Sequence, residues 1–226
     1  MHAGVKELMA RPQWVQRSPE WFTRRETLMT ASDCAGALGI PAFEGQKGGR
    51  AVRQALLKQK VGGTFKGNKY TQHGVDHEDD VRDRLAEILG DEALEFGLLV
   101  HPDLQWLGAS PDGVFAKSGF MIEIKCPVKR QIVPGHVPHH YFPQVQVQME
   151  VADLPATYFC QWQPAEFSAT GKEVFDVVVV ERDRQWFETH RETLYEFWMD
   201  LMAARAAYVP PPPRTSRIRD ALYADL

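Results

Sequence analysis

The 226-residue sequence has few cysteines, no long apolar run and no excess of basic residues. Its three cysteines, Cys34, Cys126 and Cys160, are odd in number and share no short metal-type spacing. This argues against a disulfide framework and indicates a reducing compartment. No stretch reaches the roughly 18 consecutive apolar residues of a membrane span, and the N-terminus lacks an uninterrupted apolar segment of the signal-peptide type. We therefore expect a cytoplasmic protein that is neither exported nor anchored to a membrane.

The formal net charge of -4 lacks the strongly basic signature of small nucleic-acid-binding domains. The charge is nevertheless uneven, because residues 45–69 hold seven basic side chains and no acidic one. This basic segment can attract a phosphate backbone. The alternative is a solvated helix face that binds nothing.

A chain of this length with 44% hydrophobic residues can bury one substantial core. We expect a single domain over residues 1–209. Pro210 to Pro213 cannot continue a helix, so residues 210–226 are expected to form a Pro-rich C-terminal tail.

Helical and strand periodicities alternate along this domain. Helices are predicted over 31–39, 50–60, 72–89 and 143–152, and a long amphipathic helix begins at Asp183. Strands are predicted over 94–100, 105–109, 113–117, 120–126, 156–162 and 173–181. The segment 143–152 is ambiguous, since its valines alternate with the period of a strand while Pro143 suits a first helical turn. This order predicts an α/β fold in which helices flank a central mixed β-sheet.

Two carboxylates and a lysine interrupt an otherwise apolar hairpin, SPDGVFAKSGFMIEIKCP, over residues 110–127. Side chains alternate across a strand, so Glu123 and Lys125 share one face of the second predicted strand. A turn at residues 117–119 brings Asp112 towards the level of Glu123 and Lys125. The three side chains can therefore meet in one site.

Neighbouring carboxylates repel each other unless a cation lies between them, and hard oxygen ligands suit Mg²⁺ or Mn²⁺. A lysine beside such a cation can orient a water, or help to deprotonate it, for attack on phosphorus. The alternative is an ordinary cross-strand ion pair on a solvated sheet face, which an isolated Glu-x-Lys sequence also allows.

Glu78 is a third candidate carboxylate. In the helix predicted over 72–89 it falls near the middle of an apolar arc formed by Val75, Val81, Leu85, Ile88 and Leu89. A carboxylate aimed at the interior is costly unless it is paired or bound to a metal, so Glu78 requires a cation. The alternative is that Glu78 lies at a fraying helix start and reaches solvent.

A second functional class comes from His73 and His77, which lie one helical turn apart in HGVDH. This stretch is a loosened form of the H-x-x-E-H zinc signature, with Asp76 at the glutamate position. A zinc peptidase built on these histidines would need a third ligand from elsewhere in the chain. The simpler alternative is a pair of helix-surface histidines near phosphate.

Several motifs together resemble one family of nucleases. SPDG followed by EIK after about ten residues is similar to the P-D…E-x-K pattern of the restriction-endonuclease-like superfamily. Three further stretches resemble the phage lambda-type alkaline exonucleases within it: WFTRRETLMTASD (21–33), GVDHE (74–78) and YFPQVQVQM (141–149). The resemblance covers residues 21 to about 200. It implies a restriction-endonuclease-like core.

The resemblance also implies an activity. The family consists of metal-dependent 5′-to-3′ exonucleases that degrade one strand of linear double-stranded DNA to mononucleotides and leave 3′ single-stranded overhangs. Two Mg²⁺ ions per active site, with Mn²⁺ as a substitute, would be held by Asp112, Glu123, the carbonyl of Ile124 and Glu78.

The other motif positions carry over in the same way. Lys125 would act on the attacking water, and Gln144 would belong to the catalytic site. Arg25, Ser32 and Ser110 match a pocket for the 5′-phosphate of the DNA, and Tyr141 is a further candidate for a DNA contact.

The resemblance further implies an assembly and a partner. The family forms a homotrimeric, toroidal ring around DNA, digests processively, and works beside a single-strand annealing protein in phage or prophage recombination. A DNA-end-binding module without catalysis is the remaining alternative. The juxtaposed carboxylates argue against it, because a purely binding surface gains nothing from acidic groups that face a polyanion.

Overall fold

The computed structural model describes residues 1–42, 45, 47–62 and 69–210. The predicted tail beyond Pro210, and the side chains of Lys66 and Lys69 in the basic segment, lie outside these described residues. Within them, no helix combines the length and the apolar character needed to cross a membrane.

The N-terminal part of the chain is mostly helical. It contains α1 (Ala3–Met9), α2 (Pro19–Glu26), β1 (Met29–Thr30), a 3₁₀ turn (Ala31–Asp33), α3 (Cys34–Ala37), α4 (Arg50–Gly62) and α5 (Lys69–Leu89). The helix predicted over 31–39 is therefore only a 3₁₀ turn and one short helix. Gly39, with φ of +74°, takes the left-handed conformation that ends a helix. Periodicity did not predict α1 and α2, which are shorter than typical helices.

The rest of the described chain adds two further helices and the strands of two mixed sheets. The elements are β2 (Ala93–Leu94), β3 (Leu99–Val100), β4 (Leu107–Ala109), β5 (Gly113–Phe115), β6 (Met121–Lys125), α6 (Phe142–Ala152), β7 (Ala156–Gln163), β8 (Val174–Glu181) and α7 (Arg184–Ala206). The larger sheet has the order β2-β5-β6-β7-β8, and the smaller one β1-β4-β3. Strands β6 and β7 run parallel and the other neighbours in the larger sheet run antiparallel. The prediction of a mixed sheet flanked by helices is confirmed.

The single strand predicted over 94–100 is wrong. Its two ends belong to different sheets, since β2 pairs with β5 while β3 pairs with β4. Between them Leu98 pairs with Trp14 of the N-terminal segment, and the two residues exchange backbone hydrogen bonds of 2.7 and 3.2 Å. A Cβ atom on Gly97 would lie 2.0 Å from the Trp14 carbonyl oxygen, so this crossing requires a glycine.

The crossover helix α6 connects the parallel strands β6 and β7 and covers one face of the larger sheet. Its prediction as a helix is confirmed. Eight of the eleven α6 residues are buried, and these include Gln146 and Gln148 as well as the valines, so the alternation of valine and glutamine does not reflect a strand. On this face, Met121 of β6 and Phe159 of β7 join the core that α6 completes.

Helix α5 covers the opposite face of the same strands. Val81 and Leu85 pack there against Ile122 and Ile124 of β6. Strand β6 is therefore buried on both faces, which is the expected environment for a central strand with a parallel neighbour. Polar side chains on β6 consequently need partners inside the protein.

Phe159 tests the core on the α6 face, since its side chain is fully buried. We expect Phe159→Ala to lower the free energy of unfolding by about 3–5 kcal/mol. Val179 on the neighbouring strand β8 is 51% exposed and provides the control, with an expected change for Val179→Ala below about 1 kcal/mol. Urea unfolding measures both values, and similar losses in the two variants would contradict this description of the core.

Candidate active site

The end of strand β5 positions Asp112 beside strand β6. Gly113 pairs with Ile122, so the preceding residue, Asp112, lies level with Glu123. The Asp112 N–H donates to the Ile122 carbonyl at 3.2 Å, and the Ile124 N–H donates to Asp112 Oδ2 at 2.7 Å. The N–H and C=O of one strand residue point to the same side, so the Ile124 carbonyl also points towards Asp112.

Glu123 is buried under α6 with only 1% of its surface exposed. Its Oε1 accepts hydrogen bonds from the Lys125 ammonium and from Gln144 Nε2, the latter at 2.5 Å. Its Oε2 accepts from Gln148 Nε2 at 2.6 Å. The alternative of an ion pair on a solvated sheet face is therefore wrong, because the charged face of β6 is an interior surface.

Lys125 lies between the carboxylates and an aromatic ring. Burial alone would lower the pKa of this lysine, but the negative charges of Glu123 and Asp112 raise it. The Lys125 ammonium also lies 5.0 Å from the ring centroid of Tyr141, which immediately precedes α6. Lys125 is therefore held as a cation at the point where β6 ends.

Glu78 approaches the same site from α5. Its side chain is 18% exposed and accepts a hydrogen bond from Arg17 Nη2 at 3.1 Å. Burial, partly offset by the charges of Arg17 and Arg82, raises the pKa of Glu78, and the charge of Glu123 contributes to the rise. The predicted need for a cation is met here by Arg17, and the alternative of a solvent-exposed Glu78 is wrong.

Asp112 makes no salt bridge with any side chain in the described ranges. Burial raises its pKa well above the ordinary value, and the charges of Glu123 and Glu78 raise it further, against the opposing effects of Lys125 and the Ile124 N–H. Three carboxylates thus act on one another, with Lys125 and Arg17 as the cations paired to Glu123 and Glu78. If all three carboxylates were ionised, the cluster would hold one negative charge more than these two cations offset, and this repulsion adds to the effect of burial on the pKa of Asp112.

Three residues of the N-terminal segment, none of them predicted from the sequence pattern, hold this site together. Gln16 donates to the Pro111 carbonyl at 3.0 Å, Arg17 pairs with Glu78, and Trp21 Nε1 donates to Ser110 Oγ at 3.0 Å. Arg17 also has φ of +65°, an unusual conformation for a non-glycine residue. The stretch QRSPEW has no apolar periodicity, so nothing in the sequence pattern indicated these contacts.

Arg82 is a further missed residue. It is 7% exposed on α5, donates to the Asp112 carbonyl at 3.2 Å and pairs with Asp79 and Glu95. It therefore fixes the backbone at the end of β5. A buried arginine one residue after an apolar arc position is a signal that could have revealed it, since buried charges require partners.

The residues matched to a 5′-phosphate pocket also come together. Arg25, at the end of α2, lies 4.3 Å from the Trp21 ring centroid and donates to Ser32 Oγ at 3.3 Å. Ser110 joins the group through its hydrogen bond from Trp21. The structure thus links Arg25 and Ser110 through the Trp21 indole, and Ser32 through Arg25.

Two side chains of the basic segment form ion pairs with other parts of the fold. Lys60 pairs with Asp33 at 2.6 Å, next to Ser32, and Arg53 pairs with Asp200 at 2.9 Å. These two side chains tie α4 to neighbouring elements and are not a freely solvated face.

A cleft of about 700 Å³ opens at the carboxylates. Its lining includes Glu78, Asp112, Ile124, Lys125, Arg130, His140 and Tyr141. This volume lies within the usual range for small-ligand sites. Burial lowers the pKa of His140 to about 4, with further contributions from His139, Arg130 and Lys125, so its ring is neutral near neutral pH.

The donor set of the cleft suits a hard cation only after a rearrangement. In the described ranges, no three or more His, Cys, Asp and Glu side chains converge closely enough to hold an ion as they stand. Glu78 and Glu123 are paired with Arg17 and Lys125 instead. The carboxylate oxygens and their mutual repulsion nevertheless fit a hard divalent cation. Such a cation would have to displace Arg17 from Glu78 and Lys125 from Glu123.

The zinc-peptidase hypothesis finds no support in the described residues. The rings of His73 and His77 lie 4.6 Å apart, and His77 packs against Trp162 at 4.7 Å. His73 also contacts Phe167 edge to face at 5.5 Å. The two histidines therefore belong to an aromatic cluster, with no third ligand within the part of the chain that the structure describes.

Comparison with known proteins identifies a family for the stretch of chain that contains most of these site residues. Residues 20–164 match the model of the YqaJ-like viral recombinase domain. An uncharacterized protein of Acanthamoeba polyphaga mimivirus is 30% identical over 174 residues, which cover 70% of this chain and 31% of that protein. The chain therefore spans about a third of the length of this curated relative.

Solved structures show the same fold. An alkaline exonuclease from Laribacter hongkongensis is 25% identical, with a TM-score of 0.63 over 84% of this chain and 95% of that one. A phage related exonuclease from Haemophilus somnus, 15% identical, has a TM-score of 0.56 over 78% of this chain and 95% of that one. Together with the family match, these findings confirm the resemblance to lambda-type alkaline exonucleases.

Asp112 provides a test of the crowded carboxylates. A raised pKa means that the folded chain binds the proton more tightly than the unfolded chain, so folding is favoured as pH falls through the folded pKa and opposed above it. A tenfold difference in proton affinity between the two states corresponds to about 1.4 kcal/mol. In EDTA at pH 8 we expect Asp112→Asn to raise the free energy of unfolding by at least about 1 kcal/mol. The substitution removes the repelled charge and keeps an oxygen for the Ile124 N–H.

The gain should shrink as the pH is lowered, and urea unfolding at several pH values measures it. Asp103→Asn, at an exposed aspartate in the loop before β4, is the control and should change little. Lower stability of Asp112→Asn at pH 8 would show that the carboxylates are not in electrostatic conflict.

Proposed function

The chain belongs to the family of the YqaJ-like viral recombinase domain, and on this premise we propose that it is a metal-dependent 5′-to-3′ exonuclease. Its substrate would be linear double-stranded DNA with a 5′-phosphate, of which it degrades one strand to mononucleotides. The remaining 3′ single-stranded overhang would serve recombination by single-strand annealing. The observation that carries the proposal is that Glu78, Asp112 and Lys125 line one cleft, where Lys125 is paired with the buried carboxylate of Glu123.

Mg²⁺, with Mn²⁺ as a substitute, is the proposed cofactor, with two ions per active site. The ligands would be oxygens alone, namely the carboxylates of Glu78, Asp112 and Glu123 and the carbonyl of Ile124. When bound, the metal would supply Lewis-acid polarisation of the phosphoryl group and lower the pKa of a water. The raised pKa of Asp112 supports this fit, because crowded carboxylates are stabilised by a cation.

Lys125 acts on the attacking water in this proposal. Its raised pKa keeps it protonated at neutral pH, so it orients the water by donating a hydrogen bond. The same ammonium stabilises the negative charge that develops on the phosphate oxygens. Glu123 Oε1 accepts a hydrogen bond from Lys125, and Gln144 donates to the same oxygen and so fixes its position. The Tyr141 ring also lies close to the Lys125 ammonium.

Arg25, Ser32 and Ser110 bind the 5′-phosphate of the DNA end in this proposal. A guanidinium fork and two hydroxyl groups are suitable donors for a terminal phosphate. Trp21 supports this assignment, because its indole stacks against Arg25 and its N–H occupies an acceptor position of Ser110. Ser110 is thereby left to donate its own hydroxyl hydrogen to the ligand.

The assembly and partner are proposed on family membership. The chain would form a homotrimeric ring around DNA and digest it processively, beside a single-strand annealing protein, in the cytoplasm of a bacterial or phage-infected cell. Residues 1–209 would form the nuclease domain of each subunit.

Digestion of a linear duplex labelled separately at each end tests the activity directly. With Mg²⁺ we expect 5′-labelled mononucleotides to appear first and the 3′ label to persist on a shortening duplex. EDTA should stop the reaction. Release of the 3′ label first would refute the polarity, and binding of DNA ends without degradation would favour the end-binding alternative.

Lys125→Ala tests the assigned chemistry. Loss of the ammonium should reduce the rate of DNA degradation by about 100-fold or more, since positioned donors contribute on this scale. Binding of DNA in Ca²⁺ and the circular-dichroism spectrum should stay close to those of the unmodified chain. Lys117, an exposed lysine whose ammonium contacts the Gly90 carbonyl, provides the control Lys117→Ala. Full activity of Lys125→Ala would remove the proposed role.

Arg25→Ala tests the terminal-phosphate pocket. Hydrogen bonds to charged groups contribute roughly 1.5–3 kcal/mol, so the preference for 5′-phosphorylated over 5′-hydroxyl ends should fall about tenfold or more. The measurement is the ratio of initial rates on the two substrates. Arg24→Ala, one residue earlier on α2, is the matched control. An unchanged ratio in Arg25→Ala would refute the pocket.

A further inference from the structure

Two glutamines of α6 hold the two oxygens of Glu123. Gln144 and Gln148 are four residues apart on one helix face, and their amides donate to Glu123 Oε1 and Oε2 at 2.5 and 2.6 Å. Gln146, between them, faces elsewhere, since its side chain donates to the Glu181 carbonyl and accepts from the Asp183 N–H. The family resemblance assigned a role to Gln144 and none to Gln148.

The two oxygens of Glu123 are not equivalent. An ionised carboxylate offers about four lone-pair positions on its two oxygens. Oε1 accepts from both Lys125 and Gln144, which uses the capacity of that oxygen. Among the described residues, Oε2 accepts from Gln148 alone. The remaining acceptor capacity of Glu123 is therefore on the oxygen that Gln148 holds.

Burying the Gln148 amide at this position costs folding free energy. The side chain is fully buried, and its own Oε1 has no hydrogen-bond partner among the described residues. Leaving a buried acceptor unpaired costs about 1–3 kcal/mol. Turning the amide over would aim its oxygen at a carboxylate oxygen, so only one orientation is available. An apolar side chain would fill the same volume without this cost, and the glutamine adds only the donor to Glu123.

We propose that Gln148 is a positioning residue, which fixes the Glu123 carboxylate so that Oε2 remains available to a divalent cation. The proposal rests on the function proposed above. Gln148 acts through Glu123 and touches neither the DNA nor the reacting atoms. Residues that orient metal ligands in this way typically change metal affinity by about 10–100-fold when they are replaced.

Mn²⁺ titration of the full chain by calorimetry, without DNA, tests this role. Gln148→Met keeps the length and volume of the side chain and removes the donor, so the Mn²⁺ dissociation constant should rise about tenfold or more. Gln146→Met is the matched control, because it removes an equally buried amide from the same helix. Its dissociation constant should stay within about twofold of the unmodified value.

A second substitution, at Glu123, distinguishes a positioning role of Gln148 from a general packing role. In Glu123→Gln chains, Gln148→Met should cause no further change in the residual Mn²⁺ affinity, because the group it orients is gone. A further tenfold loss there, or equal losses in Gln148→Met and Gln146→Met, would overturn the proposal. Should Gln148→Met fail to fold, Gln148→Asn provides the same test, since its amide is one methylene too short to reach Oε2.

The outcomes also distinguish this proposal from the proposed function. An unmodified chain that binds no Mn²⁺ and degrades no DNA would refute the nuclease itself. An unmodified chain that binds Mn²⁺, together with a Gln148→Met variant of equal affinity, would refute only the role of Gln148.

Discussion

The burial of the Glu123 carboxylate is the constraint on which the candidate site depends. A buried charge is tolerated only when it is paired and its hydrogen-bonding capacity is largely met. The partners of Glu123 come from two places, the ammonium of Lys125 on the same strand and two amides on the helix that follows. The parallel pairing of β6 with β7 requires a crossover, and α6 is that crossover. The fold therefore brings the amides above the carboxylate as a consequence of its topology.

This constraint explains why α6 is difficult to recognise as a helix. Its core-facing positions must serve both the apolar core and a buried carboxylate, so a glutamine stands at the fully buried position 148, and another binds the carboxylate from the partly buried position 144. The resulting alternation of valine and glutamine resembles a half-exposed strand. Pro143 was the more reliable signal, because it acts through the backbone and is independent of which side chains the core requires.

The sequence predicted those parts of the site that depend on local geometry. Alternation along β6 put Glu123 and Lys125 on one face, and the hairpin register brought Asp112 level with them. The apolar arc of α5 aimed Glu78 inwards. Alternation could not show that a helix would cover the charged face, since the covering layer depends on the sheet order. For the same reason the partners Arg17 and Arg82 were missed, because their contacts join segments that only the folded chain brings together.

Gly97 shows that contacts between distant segments also limit what the sequence predicts about the fold. Periodicity over 94–100 is that of one strand, yet the chain changes sheets there to pair with Trp14. The close approach of the two backbones decides the outcome, and apolar periodicity carries no information about it. A glycine inside a strand pattern was the available signal.

A second crossing between the two sheets, from β4 to β5, has a consequence for the proposed function. Strand β4 belongs to the smaller sheet and β5 to the larger one, and the connection between them is Ser110, Pro111 and Asp112. Ser110 contacts Trp21 in the proposed phosphate pocket, while Asp112 contacts β6 in the proposed metal site. Two residues of extended chain span at most about 7 Å. Gln16 and Arg82 bind the carbonyls of Pro111 and Asp112, so this spacing is held from both sides. A terminal phosphate bound at one end would thus lie a fixed, short distance from the group hydrolysed at the other, which is the geometry that removal of single nucleotides requires.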